Sequence, residues 1–337
     1  MVGIDIGSKT IKIVELEKSG NTFSLSASGV VAVNSVPVDK MVDEKEFASL
    51  GAIIKKLHHE AGITNHEVNI SIPESLSFTR VIKFPMLTDS EIASAVKWES
   101  EQYIPIPVTE AIIQHTILEK KENANPPEVL VLLVAAPRAV VEKYVRIVQL
   151  AGLTPVSVET ELIALTRALA PLDKTVLIVD LGATSTDIAI AKKGLLSFSR
   201  SIPIAGEAFT RALSQGLGVN AQQAEEYKKT YGLNSTELEG KVKSALSPII
   251  NMVTDEIKKA IHFYQAEEKG EAPTTIMISG GTSGMPEIIS TLSSLMGIEV
   301  ISANSFSKVQ VEPQTAKKLA SFSPLYGVSV GLALKDD

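Results

Sequence analysis

The 337-residue sequence contains no cysteine, one tryptophan and no long apolar run. The absence of cysteine excludes disulfide scaffolds, thiolate metal sites and cysteine nucleophiles. The longest apolar run, VLVLLVAA at 129–136, is far shorter than the ~20 residues of a membrane-spanning helix and predicts a buried strand. Basic residues are not in excess either, since 32 Lys and Arg stand against 39 Asp and Glu. The net charge of −7 argues against nonspecific nucleic-acid binding.

The composition is otherwise that of a globular protein. Hydrophobic residues make up 45% of the chain and charges of both signs are mixed, which excludes a disordered or fibrous chain. The length is too great for one hydrophobic core and predicts roughly two domains. A strand predicted from Val2 onward argues against a signal peptide. We therefore expect a soluble, cytoplasmic protein that reaches a membrane only through a partner.

The sequence contains an internal repeat. DIGSKTIKIVELEKSG (5–20) and DLGATSTDIAIAKKG (180–194) share a strand that ends in Asp, a Gly-containing turn with hydroxyl side chains, and an alternating strand. A third strand follows each copy, and helical patterns come next at 44–62 and 206–218. The pattern predicts two βββα units, one in each of two lobes, with a cleft between them.

The remaining segments predict the domain organisation. After a strand at 68–74, the segment 75–145 departs from the repeat and predicts a small α+β subdomain inserted into the first lobe. A long amphipathic helix is predicted at 241–268 and a closing helix of small residues at 325–335. We expect the first lobe to comprise residues 1–74, 146–172 and 318–337. The second lobe is then 173–317, with a smaller subdomain at about 205–272.

Three Gly-rich turns carry the predicted chemistry, at 5–10, 180–185 and 279–284. Glycine lets backbone N–H groups approach phosphate oxygens, while Ser and Thr hydroxyls and Lys9 add donors and charge. One such turn alone is more often an ordinary hairpin, but its repetition in a duplicated unit favours a nucleotide site. Neither a GxxxxGK[ST] loop nor a GxGxxG motif is present, which argues against P-loop and Rossmann folds.

These turns resemble the phosphate-1, phosphate-2 and adenosine motifs of the actin, hexokinase and heat-shock chaperone superfamily. The resemblance extends over nearly the whole chain and implies a two-lobed α/β fold, the actin/ribonuclease-H-like ATPase fold. The insertion follows the first helix and the strand 68–74, which is similar to FtsA and to the PilM family of type IV pilus assembly. WESEQYIPIP (98–107) and AEEYKKTYG (224–232) also resemble the PilM family. The inserted subdomain is then of the FtsA type.

The resemblance implies ATP and Mg²⁺ as ligands. Asp5 and Asp180 would hold Mg²⁺ through its water shell. Glu225 and Lys228 would contact the ribose and adenine, with a solvated charged helix face as the alternative interpretation. Glu159 would help to position the attacking water, although a surface role for this residue is slightly favoured. The other positions are Gly7, Ser8, Lys9 and Thr10 near the β-phosphate, Gly182, Ala183, Thr184 and Ser185 near the γ-phosphate, and Gly280, Gly281 and Thr282 near the base.

We expect a high affinity for ATP·Mg²⁺ and a low rate of ATP hydrolysis. Ala183 and Thr184 stand where chaperone ATPases have two glycines in DLGGGT, so the backbone approaches the γ-phosphate less closely. We expect slow or no hydrolysis of the bound ATP. The single tryptophan, Trp98, is predicted to pack in the small subdomain. The alternative is that Trp98 borders a peptide groove.

The resemblance also implies partners. PilM proteins hold the cytoplasmic N-terminal tail of the inner-membrane protein PilN in a groove between the actin-like body and the inserted subdomain. The expected function is therefore an adaptor of pilus, secretion or competence assembly at the inner face of the cytoplasmic membrane. Pilus motor ATPases and a second copy of the chain are further candidate partners. Two alternatives stay open: an FtsA-like filament-forming ATPase, disfavoured because the predicted closing helix lies at the end of the sequence, and a small-molecule kinase of the same superfamily.

Overall fold

The computed structural model describes residues 1–123, 125–266 and 269–336, and the elements below belong to that part of the chain. The strands are β1 (Val2–Ile6), β2 (Thr10–Ser19), β3 (Thr22–Ala32), β4 (Glu67–Ile72), β5 (Phe78–Pro85), β6 (Ala111–Lys121), β7 (Glu128–Pro137), β8 (Thr154–Thr160), β9 (Thr175–Leu181), β10 (Thr186–Lys192), β11 (Leu195–Ile202), β12 (Thr275–Ser279), β13 (Glu299–Ser302) and β14 (Val309–Gln310). The helices are α1 (Glu44–Glu60), α2 (Asp89–Tyr103), α3 (Arg138–Leu150), α4 (Glu161–Leu169), α5 (Gly206–Leu217), α6 (Ala221–Thr230), α7 (Lys241–Ala266), α8 (Ile288–Met296), α9 (Pro313–Leu319) and α10 (Gly327–Ala333).

The two predicted βββα units are confirmed. The first sheet has the order β14-β3-β2-β1-β4-β8, and the second has the order β11-β10-β9-β12-β13. In each sheet an antiparallel meander is followed by a helix, α1 or α5, and then by a strand parallel to the first one. A capping box from Asp43 begins α1, and Gly218 in the left-handed conformation ends α5. Residues 267–268 of the predicted helix 241–268 lie outside the described residues.

The inserted segment forms a third sheet with the order β5-β7-β6. One face of this sheet packs against α2, where Ile92 meets Val131 and Leu133. Leu132, on the opposite face, joins the central core that contains α4. This alternation is what a strand buried on both faces requires, and it explains the long apolar run at 129–136.

Two observations bear on the proposed segment borders. The proposed border at 145 falls inside α3, whose Tyr144, Ile147 and Val148 pack in the core of the first sheet. Strand β14 pairs with β3, so residues 309–310 belong to the first sheet although they lie in the range proposed for the second lobe. We therefore propose that the insertion ends where α3 begins. Residue 337 of the proposed first lobe lies outside the described residues.

Two helices, α4 and α10, lie between the sheets. Helix α10 contacts β1, β2, β4 and α4, while α4 also contacts β10 and β11 of the second sheet. Glycine permits this close approach, because a Cβ on Gly331 would lie 1.8 Å from the Ala164 oxygen and a Cβ on Gly3 would lie 2.2 Å from the Ser329 oxygen. The predicted closing helix of small residues therefore packs at the centre. Among the described residues, no helix has the length and apolarity needed to cross a membrane.

Candidate functional site

The first and second Gly-rich turns have the same backbone geometry. The Gly7 N–H donates to the Thr10 oxygen at 3.1 Å, and the Gly182 N–H donates to the Ser185 oxygen, also at 3.1 Å. A Cβ on Gly7 would lie 3.0 Å from the Thr10 oxygen, and one on Gly182 would lie 2.8 Å from the Ser185 oxygen. Larger residues would therefore crowd both turns. The sequence repeat is also a repeat in three dimensions.

The third turn and the start of α5 hold the second turn in place. The Gly182 oxygen accepts hydrogen bonds from the Gly206 N–H at 3.1 Å and from the Thr282 hydroxyl at 2.9 Å. The Ala183 oxygen accepts one from the Glu207 N–H at 2.8 Å. Across the cleft, Lys9 Nζ lies 2.8 Å from Glu207 Oε1, and both side chains are about half exposed. The structure thus brings the three predicted turns together between the two lobes.

Glycine is needed in the third turn as well. Gly280 has a φ of +83°, and a Cβ there would lie 2.6 Å from Asp180 Oδ1. The turn therefore abuts the predicted metal-facing aspartate. Gly281, Ser8 and Thr184 are at least partly exposed, and the Ser8 and Thr184 hydroxyls form no hydrogen bond with any other described residue. The Ser8 and Thr184 hydroxyl groups are therefore available to a ligand.

Asp5 forms a buried ion pair with Lys12. Lys12 Nζ donates to Asp5 Oδ2 at 2.9 Å, and the two residues are 8% and 4% exposed. Burial lowers the pKa of Lys12, but the charge of Asp5 and the hydrogen bond with it outweigh burial, so the pKa is raised overall. Lys12 is therefore a fixed positive charge at the site. Sequence reasoning chose Lys9 and missed Lys12, because the burial of Lys12 depends on segments distant in sequence.

The charges of Asp5, Asp180 and Glu161 act on Lys12, and Asp187 lies opposite Asp180 in the second sheet. Burial and then the charge of Asp187 raise the pKa of Asp180 to about 7. Burial also raises the pKa of Asp187, against the opposing hydrogen bonds of Ser201 and Ser185. The pKa of Glu161 is raised well above its ordinary value by burial and then by the charges of Asp5, Asp187 and Asp180. The cleft therefore contains more carboxyl groups than Lys12 can pair with.

The acidic cluster fits a hydrated divalent cation. The buried Asp5 Oδ1 and Asp187 Oδ1 atoms lack hydrogen-bond partners, and such acceptors are normally satisfied by protein, water or an ion. Among the described residues, no three acidic or His side chains converge closely enough to coordinate a metal directly. A cation held through its water shell meets both observations, because Mg²⁺ keeps most of its waters.

Glu159 lies outside this cluster. Arg167 donates to both Glu159 oxygens, at 2.9 and 2.8 Å, and Lys335 Nζ lies 3.2 Å from Oε1. The carboxylate thus ties β8 to α4 and to the end of the described chain. The acid whose pKa is raised by the charges of Asp5 and Asp180 is Glu161, two residues later and at the start of α4. Sequence reasoning missed Glu161 because the direction of a side chain at a strand-to-helix border depends on tertiary packing.

Glu225 and Lys228 form a pair on α6, as their spacing suggested. Lys228 Nζ donates to Glu225 Oε2 at 2.6 Å, to the Thr210 hydroxyl at 2.9 Å and to the Gly206 oxygen at 3.0 Å. Burial lowers the pKa of Lys228. Burial raises the pKa of Glu225, but its hydrogen bonds with Lys228 and Thr210 prevail and hold it at about 2. The pair is thus ionised and is anchored through Gly206 to the second turn.

A cavity of about 190 Å³, lined largely by apolar side chains, lies between the inserted subdomain and the second sheet. Its walls come from the edge strands β5 and β11, with further residues from β7 and α7: Phe78, Val81, Leu132, Leu196, Phe198 and Phe263. Trp98 is not among them. The prediction that Trp98 packs in the subdomain is wrong, because the residue is 69% exposed on α2. Its helical position did not reveal which face would be covered.

Comparisons with known proteins agree with the actin-like fold. FtsA of Staphylococcus epidermidis is 23% identical over 254 residues, which cover 68% of this chain and 54% of that protein. The chain thus spans about half the length of the curated relatives that it matches first. MreB5 of Spiroplasma citri bound to AMPPNP is 14% identical, with a TM-score of 0.55 over 98% of this chain and 93% of that one. The two-lobed actin-like α/β fold expected from the motifs is confirmed.

Two further similarities concern pilus assembly. The structure of a PilM-PilN type IV pilus biogenesis complex has a TM-score of 0.84 and 26% identity, and the match covers 99% of this chain and 97% of that one. The profile of the family described as type IV pilus assembly protein PilM matches residues 3–337. The chain therefore belongs to the PilM family of type IV pilus assembly proteins.

Proposed function

We propose that this protein is an ATP-binding, actin-like adaptor that holds the cytoplasmic N-terminal tail of a PilN-like inner-membrane protein during type IV pilus assembly. One observation carries the proposal: two turns of the same backbone geometry, one from each lobe, lie beside a common acidic cluster. Family membership and the similar PilM-PilN complex support the assignment to pilus assembly. In this proposal the protein works in the cytoplasm, at the inner face of the membrane, through its partner.

The nucleotide would lie between the turns. In this proposal residues 7–10 bind on the β-phosphate side and residues 182–185 on the γ-phosphate side. Glu225 and Lys228 bind the ribose and adenine, and residues 280–282 border the base. The partial exposure of the turn residues and the uncommitted Ser8 and Thr184 hydroxyls support this arrangement. The solved structures of MreB5 with AMPPNP and with ADP add support from the fold.

Mg²⁺ would be held by Asp5 and Asp180 through its waters. Bound there, the ion would neutralise phosphate charge. The unpartnered Asp5 Oδ1 supports this role for the first aspartate. For Asp180 the support is the raised pKa of about 7, since a carboxyl crowded by other acids gains from a nearby cation. Lys12 pairs with the other oxygen of Asp5 and so leaves Oδ1 open to the water shell of the ion.

Hydrolysis is expected to be slow. We assign the position closest to an attacking water to Glu161 rather than to Glu159, because Glu159 is held by Arg167 and Lys335. Burial and the charges of the neighbouring carboxyl groups raise the pKa of Glu161, which favours its protonated form, and a protonated carboxyl group cannot act as a general base. The steady-state ATPase rate should therefore stay below about one per second, the lower end for typical enzymes.

The partner tail would occupy the apolar cavity between β5 and β11. Both strands lie at sheet edges, and an extended peptide can add its backbone to such an edge while its side chains enter pockets. Aromatic and aliphatic side chains form most of the wall, which suits apolar side chains of a tail, and Thr79, Arg80, Ser197 and Ser199 complete it. Pilus motor ATPases and a second copy of this chain remain proposed further partners.

Binding measurements test both parts of the proposal. Isothermal titration with ATP·Mg²⁺ should give saturable one-site binding, and EDTA should weaken it. A synthetic N-terminal tail of a PilN-like protein from the same genome should be captured by the immobilised protein. A protein that retains neither ligand would refute the proposal. The similarity to FtsA favours one alternative, and ATP-dependent sedimentation without tail capture would support that filament function instead.

A further inference from the structure

Glu74 is a buried carboxylate that the proposed nucleotide and tail sites do not use. It follows β4 in a short 3-10 turn, Glu74–Leu76, where the chain enters the inserted subdomain. The residue is only 4% exposed, and its Oε2 atom has no hydrogen-bond partner. A buried and incompletely satisfied carboxyl group destabilises a fold, so its presence calls for a physical explanation.

The neighbours of Glu74 come from three parts of the molecule. Thr160 lies at the end of β8 in the first sheet, Thr79 lies on β5 of the inserted sheet, and Ser199 lies on β11 of the second sheet. Their hydroxyls act to lower the pKa of Glu74, but burial and then the charge of Asp187 raise it to about 7. The buried Thr79 and Thr160 hydroxyl oxygens also lack a well-formed hydrogen bond. Glu74 therefore sits where the first lobe, the second lobe and the insertion meet.

The same residue connects the two proposed sites. On one side, the Glu74 N–H donates to Glu161 Oε2 at 3.4 Å. Glu161 in turn lies close enough to Asp5 and Asp180 for their charges to raise its pKa. On the other side, Thr79 and Ser199 line the cavity. There the Ser199 hydroxyl donates to the Thr79 backbone oxygen at 3.4 Å. A path of four residues, Glu161, Glu74, Thr79 and Ser199, thus leads from the acidic cluster to the wall of the cavity through backbone and side-chain contacts.

We propose that Glu74 couples nucleotide binding between the lobes to the shape of the cavity between β5 and β11. The inference rests on the proposed function, because it requires a nucleotide and a tail at these two places. A ligand that draws the lobes together moves Ser199 relative to Thr160 and so changes which hydroxyl reaches the Glu74 carboxyl. Since Ser199 and Thr79 also form the cavity wall, the cavity changes with it. By linkage, occupation of the cavity changes nucleotide affinity by the same factor.

Amide hydrogen exchange of the intact protein tests this coupling without the partner. The unaltered protein, Glu74→Gln and the control Glu110→Gln are compared with and without ATP·Mg²⁺. Glu110 is an exposed glutamate of the same inserted subdomain. We expect ATP·Mg²⁺ to change exchange in β5 and β11 of the unaltered protein and the control by at least about fivefold, the lower range of allosteric coupling. In Glu74→Gln this response should be lost, while the variant still binds ATP.

The outcomes separate a failure of the coupling from a failure of the proposed function. An unaltered protein that binds ATP·Mg²⁺ with no change in β5 or β11 would overturn the coupling. So would a Glu74→Gln variant with the full response, or a control that loses it. If Glu74→Gln does not fold, Ser199→Ala removes the hydroxyl of the second lobe instead and should also lose the response. Absence of nucleotide binding to the unaltered protein would contradict the proposed function itself, and titration separates that failure from a loss of coupling.

Discussion

Lys12 and Asp187 occupy equivalent positions in the two halves of the chain. In the first sheet Lys12 lies directly opposite Asp5, and in the second sheet Asp187 lies directly opposite Asp180. The first pair has opposite charges and forms an ion pair, whereas the second brings two carboxyl groups together. The repeat is thus symmetric in backbone and asymmetric in charge. The second lobe holds the uncompensated negative charge, which is where we expect a cation to have its strongest effect.

Replacing Lys12 should affect stability far more than replacing Lys9. Lys12→Met leaves Asp5 buried beside other acids, and breaking a buried pair in this way costs about 3–5 kcal/mol. Lys9→Met removes only a half-exposed pair with Glu207, so the expected change is below about 1 kcal/mol. Urea unfolding of both variants gives the comparison. Similar losses for the two variants would contradict the assigned role of Lys12.

Asp180→Asn should weaken ATP·Mg²⁺ binding at least tenfold at pH 8. The substitution keeps the shape of the side chain but removes a charge that would face the hydrated cation. Asp173→Asn is the control, because Asp173 is exposed in the loop before β9. Titration calorimetry with and without Mg²⁺ measures both variants. An Asp180→Asn variant with unchanged affinity would refute the metal assignment.

Two glycines of the third turn should differ sharply in their tolerance of alanine. Gly280→Ala would place a Cβ 2.6 Å from Asp180 Oδ1 at a φ of +83°, so we expect lower stability and weaker nucleotide binding. Gly284→Ala meets no atom within 4 Å and should leave both properties nearly unchanged. Thermal unfolding and nucleotide titration of the two variants test this contrast. Equal behaviour would show that the turn does not need its left-handed glycine.

The pH dependence of stability should report on Glu74. Its pKa is raised from 4.5 to about 7 in the folded protein, so between these values the folded state binds more protons than the unfolded state. Stability therefore falls as the pH rises from about 4.5 to about 7, by about 3 kcal/mol at most for this group. Glu74→Gln should gain stability relative to the unaltered protein between pH 5 and pH 8, as measured by urea unfolding. A constant difference between the two proteins would contradict the raised pKa.

Two aromatic residues should differ in their effect on tail binding. Phe263 lines the apolar cavity and lies 5.7 Å from the Phe198 ring, centroid to centroid. Phe263→Ala should weaken capture of a PilN-like tail peptide at least tenfold, whereas Trp98→Ala should not change it. Fluorescence anisotropy of a labelled tail measures both affinities. A loss confined to Trp98→Ala would move the proposed binding surface to α2.

Much of the fold could be predicted from local patterns. Short-range periodicity predicts the two Asp-Gly turns, their alternating strands and the following helices. The presence of two copies of the pattern supports each of these predictions. The charges at the centre of the cleft could not be found in this way. Lys12, Glu161 and Glu74 acquire their importance from burial by segments distant in sequence. The exposure of Trp98 likewise depends on which face of α2 meets the third sheet.

A crystal structure of the protein grown with ATP and Mg²⁺ tests the central claim most directly. We expect electron density for the triphosphate between residues 7–10 and 182–185, with a hydrated ion near Asp5 and Asp180. A crevice without nucleotide at saturating ATP, or a nucleotide bound elsewhere on the molecule, would contradict the account.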